Sequence, residues 1–284
     1  METVLRGAAE EVRIGPGLPT VMIGERINPT GRKVFSAELQ AGDLSRVPRD
    51  AEAQAAAGAR VLDVNVGAAS VDEVALLPRA VQMVQDVVDL PVCIDSANPE
   101  ALRAALAVVK GRALVNSVNG ERAKLDAVLP VVAEYGAAVI ALVMDDNGIP
   151  DTPEKRLKVA EAILAAASQH GIAPEDVIFD PLVLAVGADH RAGAVTLETA
   201  RLIRTELGAN MTAGASNASH GMPDRELLNT VFLALLIEAG VNAPICNPLK
   251  NGLAVRAVDL MLGLDEWGMG YIQAYRAAQK AATE

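Results

Sequence analysis

A single-domain α/β barrel of eight strands and eight helices, the (β/α)8 or TIM barrel, is the architecture this sequence predicts, and three observations predict it. The 284 residues are close to what one such barrel uses. Apolar residues make up 51% of the chain and aromatics only 2%, so the core is built of Ala, Val, Leu and Ile, as parallel strands covered on both faces require. Short apolar runs also alternate with Ala-rich helical stretches at regular intervals, the sign of consecutive βα units. A doubly wound open sheet is the runner-up, but no G-x-G-x-x-G follows the first strand.

The first strand, near residues 20–25, is the apolar run Val21-Met22-Ile23, and Pro29-Thr30-Gly31 turns the chain away after it. Further strands are expected near 60–66, 91–96, 113–117, 137–145, 177–183, 210–217 and 242–247. Helices fill the gaps at about 48–58, 72–88, 99–108, 122–135, 153–170, 196–206, 223–239 and 252–262. An extra terminal helix is expected at about 265–281. Asp151-Thr152-Pro153-Glu154 supplies cap candidates ahead of a proline in a first turn. Gly136, Gly171 and Gly240 stand where helices should stop.

The 25 basic and 36 acidic residues give a net charge of -11, which argues against nucleic acid or an anionic membrane as partner. Cys93 and Cys246 show no pairing pattern and no zinc-ligand spacing, so no metal site is expected and a reducing compartment is. Met1-Glu2-Thr3-Val4 lacks the basic start of a signal peptide, and no run approaches a membrane span. A soluble, cytoplasmic protein is the expectation.

Barrel active sites gather at the C-terminal ends of the strands. Those ends carry Glu25 and Asn28, Asp63 and Asn65, Asp95, Asn116, Asp145, Asp180, Asn217 and Asn247. The ring is rich in carboxylates and carboxamides, with no histidine or thiol cluster. It suits a heterocycle with many N–H donors, since a carboxylate accepts parallel N–H bonds and Asn both donates and accepts. An acid taken singly can instead be a helix cap or turn residue, which weighs evenly for Asp63 and Asp145. Asp95 and Asp180 are flanked by core residues, and there that alternative is weaker.

Six motifs occur in order along the chain: Gly24-Glu25-Arg26-Ile27-Asn28, Leu62-Asp63-Val64-Asn65-Val66-Gly67, Ile94-Asp95-Ser96, Val115-Asn116-Ser117, Phe179-Asp180-Pro181-Leu182 and Ser216-Asn217-Ala218-Ser219. Together they resemble the pterin-binding methyltransferases, the methyltetrahydrofolate:corrinoid enzymes related to the folate module of cobalamin-dependent methionine synthase. The resemblance implies a dimeric barrel moving a methyl group between N5 of a tetrahydropterin (5-methyltetrahydrofolate) and the Co(I) of a corrinoid. It matches Asp180 to the carboxylate on the 2-amino and N3 edge of the pterin. Asp95 and Asn116 match residues on its other ring nitrogens, and Asn217 matches the catalytic asparagine beside N5. Glu25, Asn28, Asp63, Asn65, Ser216 and Arg225 complete the candidate pterin-binding set. A carboxamide beside N5 can stabilise the charge change there without changing its own charge. Cobalt is the nucleophile, so no nucleophilic side chain is required.

Other signals are set aside. Gly214-Ala215-Ser216-Asn217-Ala218 lacks the final glycine of a nucleophile elbow, and Ser216 reads as a hydroxyl that satisfies backbone. His190-Arg191-Ala192-Gly193 resembles part of a cobalamin-ligating D-x-H-x-x-G loop, but Ala188 stands at the aspartate position. No separate corrinoid-binding domain follows, so the corrinoid is expected on a partner protein. His170 ends a helix and His220 reads as a loop histidine. Arg32 and Lys33 read as surface charges, or as contacts for a folate glutamate tail. Trp267 reads as terminal-helix packing or a dimer contact. Dihydropteroate synthase is a second reading, although it calls for a Thr-Pro-Asp-Ser-Phe-like first loop where this chain has Asn28-Pro29-Thr30-Gly31-Arg32-Lys33. A non-catalytic pterin-binding subunit is a third.

Overall fold

The computed structural model describes residues 1–281. The chain opens with an antiparallel hairpin, β1 (Thr3–Arg6) and β2 (Glu11–Ile14), which is absent from the strands expected above. Seven strands follow: β3 (Ile23–Ile27), β4 (Val61–Val64), β5 (Val92–Asp95), β6 (Leu114–Asn119), β7 (Ala138–Leu142), β8 (Val177–Asp180) and β9 (Ile245–Cys246). They form one curled parallel sheet in the order β8-β7-β6-β5-β4-β3-β9.

The helices are α1 (Lys33–Gln40), α2 (Arg46–Ala56), α3 (Glu73–Gln85), α4 (Pro99–Leu106), α5 (Arg122–Tyr135), α6 (Pro153–Gln169), α7 (Ala192–Leu202), α8 (Arg225–Ala239), α9 (Pro248–Met261) and α10 (Met269–Ala281). Local chemistry sets several ends. Thr152 accepts a hydrogen bond from the Lys155 N–H at the start of α6, and Asn98 accepts one from Glu100 at the start of α4. Gly136 ends α5 in the left-handed conformation at φ 59. Helix α1 lies outside the expected helices; it forms because Phe35 and Leu39, four residues apart, bury one face.

The strand expected at 210–217 needs correction. Residues 210–214 make only single parallel bridges, Met211 to Phe179 of β8 and Gly214 to Ile245 of β9. Thr212 N–H donates to the Phe179 carbonyl at 2.9 Å and Ile245 N–H to the Ala213 carbonyl at 3.1 Å, so the segment lies between the two edge strands. Ala215–Asn217 then turns into a 3-10 helix, leaving too few extended residues for a ladder.

Side chains alternate along a strand, so every second residue meets the inside of the curl. Ile23, Val61, Cys93, Leu114, Ala138, Ile140 and Ile178 form one inner cluster, and Leu5, Val12 and Ile14 of the hairpin join it. A larger cluster fills the layer between sheet and helices. Asn210 donates to Thr3 Oγ1 (2.8 Å) and to the Ile14 carbonyl (2.9 Å), which fastens the hairpin under the sheet.

Candidate active site

Two residues beyond the inner apolar layer, the same face of the strands turns polar. Ile23 is followed on that face by Glu25, Val61 by Asp63, Cys93 by Asp95, Leu114 by Asn116 and Ile178 by Asp180. Period-two alternation thus places the candidate acids and amides on the C-terminal rim of the sheet, above a floor that excludes water. Asp95 and Asn116 are direct neighbours in register.

Hydrogen bonds join five of the candidates into two linked groups. Asn28 and Asn65 both donate to Asp95 Oδ2, at 3.3 and 2.9 Å, and Asn116 Nδ2 donates to Asp63 Oδ1 at 3.2 Å. The backbone fixes the two asparagines by their other ends: Thr30 N–H donates to Asn28 Oδ1 and Gly67 N–H to Asn65 Oδ1. Asp180 Oδ1 accepts from the Leu182 N–H at 2.8 Å. Asp95 Oδ1, Asn116 Oδ1 and Asp180 Oδ2 carry no hydrogen bond among the described residues, and neither do the Glu25 carboxylate oxygens. They are acceptors, and a ring edge rich in N–H groups is their chemical complement.

Burial governs the electrostatics. Asp63 is 2% exposed; burial, then the charge of Asp95, pushes its carboxyl well above the usual carboxylate range, against the hydrogen bonds from Asn116 and Cys93. Asp95 is pushed up to about 6, mainly by burial, with the Asn65 amide opposing. Asp180 is also raised to about 6 by burial, against the Leu182 N–H and the charge of Arg156. Glu25 is raised by burial, with Arg26 opposing.

Glu25, Ser216 and Arg225 line a cavity of about 320 Å3 with Asn229, Asn247 and Lys250. Arg225 donates to Ser219 Oγ (3.1 Å) and to the Ser216 carbonyl (3.0 Å), so it braces the turn that carries Asn217. Asn217 itself is exposed, at the end of the 3-10 turn, and its side chain has no hydrogen bond among the described residues. Among the described residues no hydrogen bond joins Asn217 to the Asp95 group. A larger cavity, about 610 Å3, lies elsewhere, on the loop between β7 and α6, and holds none of the candidate pterin-binding residues.

For Asp145 the structure shows the turn alternative, its Oδ1 accepting from the Asn147 N–H at 2.8 Å. Asn247 lines the Glu25 cavity and also caps α9 by accepting from Leu249. Other sequence readings are corrected. The hydroxyl that satisfies backbone is that of Ser219, which donates to the Ser216 carbonyl, rather than that of Ser216. Arg32 is not a free surface charge: it pairs with Asp50 at 2.6 Å, donates to the Arg26 carbonyl and lies over Phe35. Trp267 is 87% exposed and does not pack the terminal helix. Both cysteines are buried thiols. Among the described residues, no group of three or more His, Cys, Asp or Glu is arranged to hold a metal ion, and no helix is long and apolar enough to cross a membrane.

Two residues of consequence escape the sequence reading. Gln54, wholly buried on α2, accepts from the Arg26 N–H at 2.8 Å and fixes the end of β3. Arg156 lies on the apolar face of α6 with Val159, Ala160 and Ile163. A charge on a buried helical stripe is itself the signal that could have found it.

Comparison with known proteins bears on this geometry. A family model described as pterin binding enzyme matches residues 24–247. The chain is 33% identical over 263 residues to the methylcorrinoid:tetrahydrofolate methyltransferase of Eubacterium limosum, covering 90% of this chain and 96% of that protein. It is 32% identical over 243 residues to the methionine synthase of Mycobacterium leprae, covering 81% of this chain and 20% of the synthase. The chain therefore spans about a fifth of that synthase's length. Among solved structures, a Yersinia pestis DHPS with a pterine-sulfa conjugate superposes with a TM-score of 0.70 at 16% identity, over 93% of this chain and 99% of that one, a likeness of fold.

Proposed function

Since this chain belongs to the pterin-binding enzyme family, we propose that it is a methyltransferase acting between N5 of 5-methyltetrahydrofolate and the Co(I) centre of a corrinoid. The observation that carries the reading is the row of unused acceptors on the rim, Asp95 Oδ1, Asn116 Oδ1 and Asp180 Oδ2, in a chain similar to a methylcorrinoid:tetrahydrofolate methyltransferase over 90% of its length. The acceptors would take the N–H edge of the pterin, with Asp180 on the 2-amino and N3 groups. Glu25, Asn28, Asp63 and Asn65 would support that edge from beside and below it.

Asn217 would then act at N5. Methyl transfer from a tertiary amine leaves electron density on nitrogen, and a carboxamide can donate to it there. Its position on a braced but exposed turn supports this role, because the methyl group must meet a second large reactant approaching from solvent. We assign the corrinoid to a partner protein as co-substrate; Ala188 breaks the corrinoid-ligating pattern around His190. Residues 210–214 would serve as the eighth stave of a closed, single-domain barrel. A homodimer through α8 and α10 is supported by the exposed Leu227, Val231, Leu235, Trp267 and Ile272. A soluble cytoplasmic enzyme accords with two unpaired thiols.

Single-turnover transfer with saturating pterin tests the assignment of Asn217, run in both directions with Co(I) and methylated cobalamin. Asn217→Ala is expected to slow transfer by about a hundred- to a thousandfold, the loss typical of one donor aimed at developing charge. A variant that keeps about half or more of the wild-type rate would remove Asn217 from the chemistry. Wild-type protein that binds the pterin yet transfers nothing would favour the non-catalytic subunit.

A further inference from the structure

Arg156 is the largest of the fully buried side chains, at 2% exposure. It forms no salt bridge among the described residues. Its guanidinium instead donates to three carbonyls: Nε to Pro150 (2.9 Å), Nη1 to Pro181 (2.7 Å) and Nη1 to Leu182 (2.9 Å). A buried cation is costly unless it is fully bonded and compensated. The carboxylate that acts on this one is Asp180.

Two of the three carbonyls follow Asp180 directly. Leu182 stands at φ 63, a left-handed conformation unfavourable for a residue with a branched side chain. The turn is held from both sides: the Leu182 N–H donates to Asp180 Oδ1, and its carbonyl accepts from Arg156 and from Thr196 Oγ1 at 2.9 Å. Pro150 belongs to the loop ahead of α6, so one guanidinium ties that loop to the Asp180 turn.

We infer that Arg156 is a positioning residue for Asp180: its guanidinium pins the turn that aims the free Asp180 oxygen at the ligand and sets a positive charge beside the buried carboxylate. The pterin part of this inference rests on the reading of Asp180 given above. Other elements packed around Asp180 contribute uncharged neighbours: Leu142 beside it on β7, Met211 and Thr212 from the 210–214 segment, and Thr196 from α7. Burial raises the Asp180 carboxyl to about 6, and Arg156 is the charge that opposes this rise. Without that charge the carboxyl should hold its proton to higher pH.

The test uses the full-length chain with Arg156→Gln and Arg156→Lys. The Asp180 carboxyl is titrated by 13C NMR in the ligand-free protein, its signal assigned with Asp180→Asn. Affinity for 5-methyltetrahydrofolate is measured across pH by calorimetry. In Arg156→Gln the Asp180 midpoint should rise by about one pH unit or more. Its affinity should fall about twofold or more at neutral pH from the lost ionisation, and as the pH is raised it should recover only to the level of Arg156→Lys, because ionisation returns and the pinning does not. Arg156→Lys keeps the charge but cannot span two loops, so its midpoint should stay near wild type while affinity falls equally at every pH. An unchanged midpoint in folded Arg156→Gln overturns the electrostatic role. Wild-type affinity in Arg156→Lys overturns the pinning, and this arm stands if the Gln variant does not fold. If wild-type protein binds no pterin, the functional reading fails, while the NMR midpoints still judge the coupling of Arg156 to Asp180.

Discussion

Asp95 and Asp180 each spend one oxygen on the protein and keep one free, and this division defines what a substitution at either should do. Asp180→Asn keeps an oxygen for the Leu182 N–H and puts an amide NH2 where the free acceptor stands, so a donor faces the donors of an N–H edge. Loss of one charge-assisted bond costs about 1.5–3 kcal/mol, roughly a ten- to hundredfold loss of affinity. Asp95→Asn should weaken binding in the same range, with an added cost because Asn28 and Asn65 both donate to that side chain. Isothermal titration with 5-methyltetrahydrofolate decides it; wild-type affinity in both variants would move the pterin away from this rim. These residues could be read from sequence because an acid or amide that ends an apolar run stands out against its flanks. Arg156 and Gln54 could not be read in the same way, because their partners are backbone groups of distant segments, and no residue type advertises a carbonyl.

At the scale of an element, Gly24 shows how tightly β3 is fitted to α2. A Cβ on Gly24 would come within 2.5 Å of Gln54 Oε1, the atom that accepts the Arg26 N–H. Gly24→Ala must therefore displace a wholly buried amide and strand a backbone donor at the mouth of the site. Overpacking of this kind and the loss of a buried partner each cost about 1–3 kcal/mol. Urea denaturation should show that loss, and an unchanged midpoint would mean that Gln54 moves freely and does not fix the strand. The seven ladder strands were legible because each is an apolar run followed by a polar residue and a turn. The 210–214 segment reads the same way, but single bridges replace a ladder once the 3-10 turn at Ala215 takes over. The hairpin β1–β2 has alternating residues too, yet its role depends on closing the N-terminal end of the sheet, a long-range relation that a local pattern does not carry.

At the scale of the whole molecule, the rim concentrates Glu25, Asp63, Asp95 and Asp180 in a chain that already carries a net charge of -11. Burial raises all four carboxyls, two of them to about 6. From the ordinary carboxylate range up to about 6 the folded protein thus binds more protons than the unfolded chain, so stability should fall as pH rises through that window, and Asp63, raised further, extends the fall above it. Exposed acids act in the opposite sense and lower on the scale. Glu11 and Glu38 are held down by hydrogen bonds from Arg13 and Arg46, and Asp151 by one from Lys155, so their stabilisation is lost as pH falls through their lowered values. The urea midpoint should therefore rise as the pH is lowered from about 7.5 to about 5, then fall at stronger acidity. Asp95→Asn should raise the midpoint at the upper pH and leave it nearly unchanged at the lower, since it removes a charge that only the upper pH requires the fold to bury. On the proposed reading a bound pterin would supply the missing donors, so the stabilisation it confers should be larger at the upper pH. A midpoint that climbs steadily from about pH 5 to about 7.5 would mean that these carboxylates are already satisfied in the free protein, and the rim would then have no need of an N–H-rich ligand.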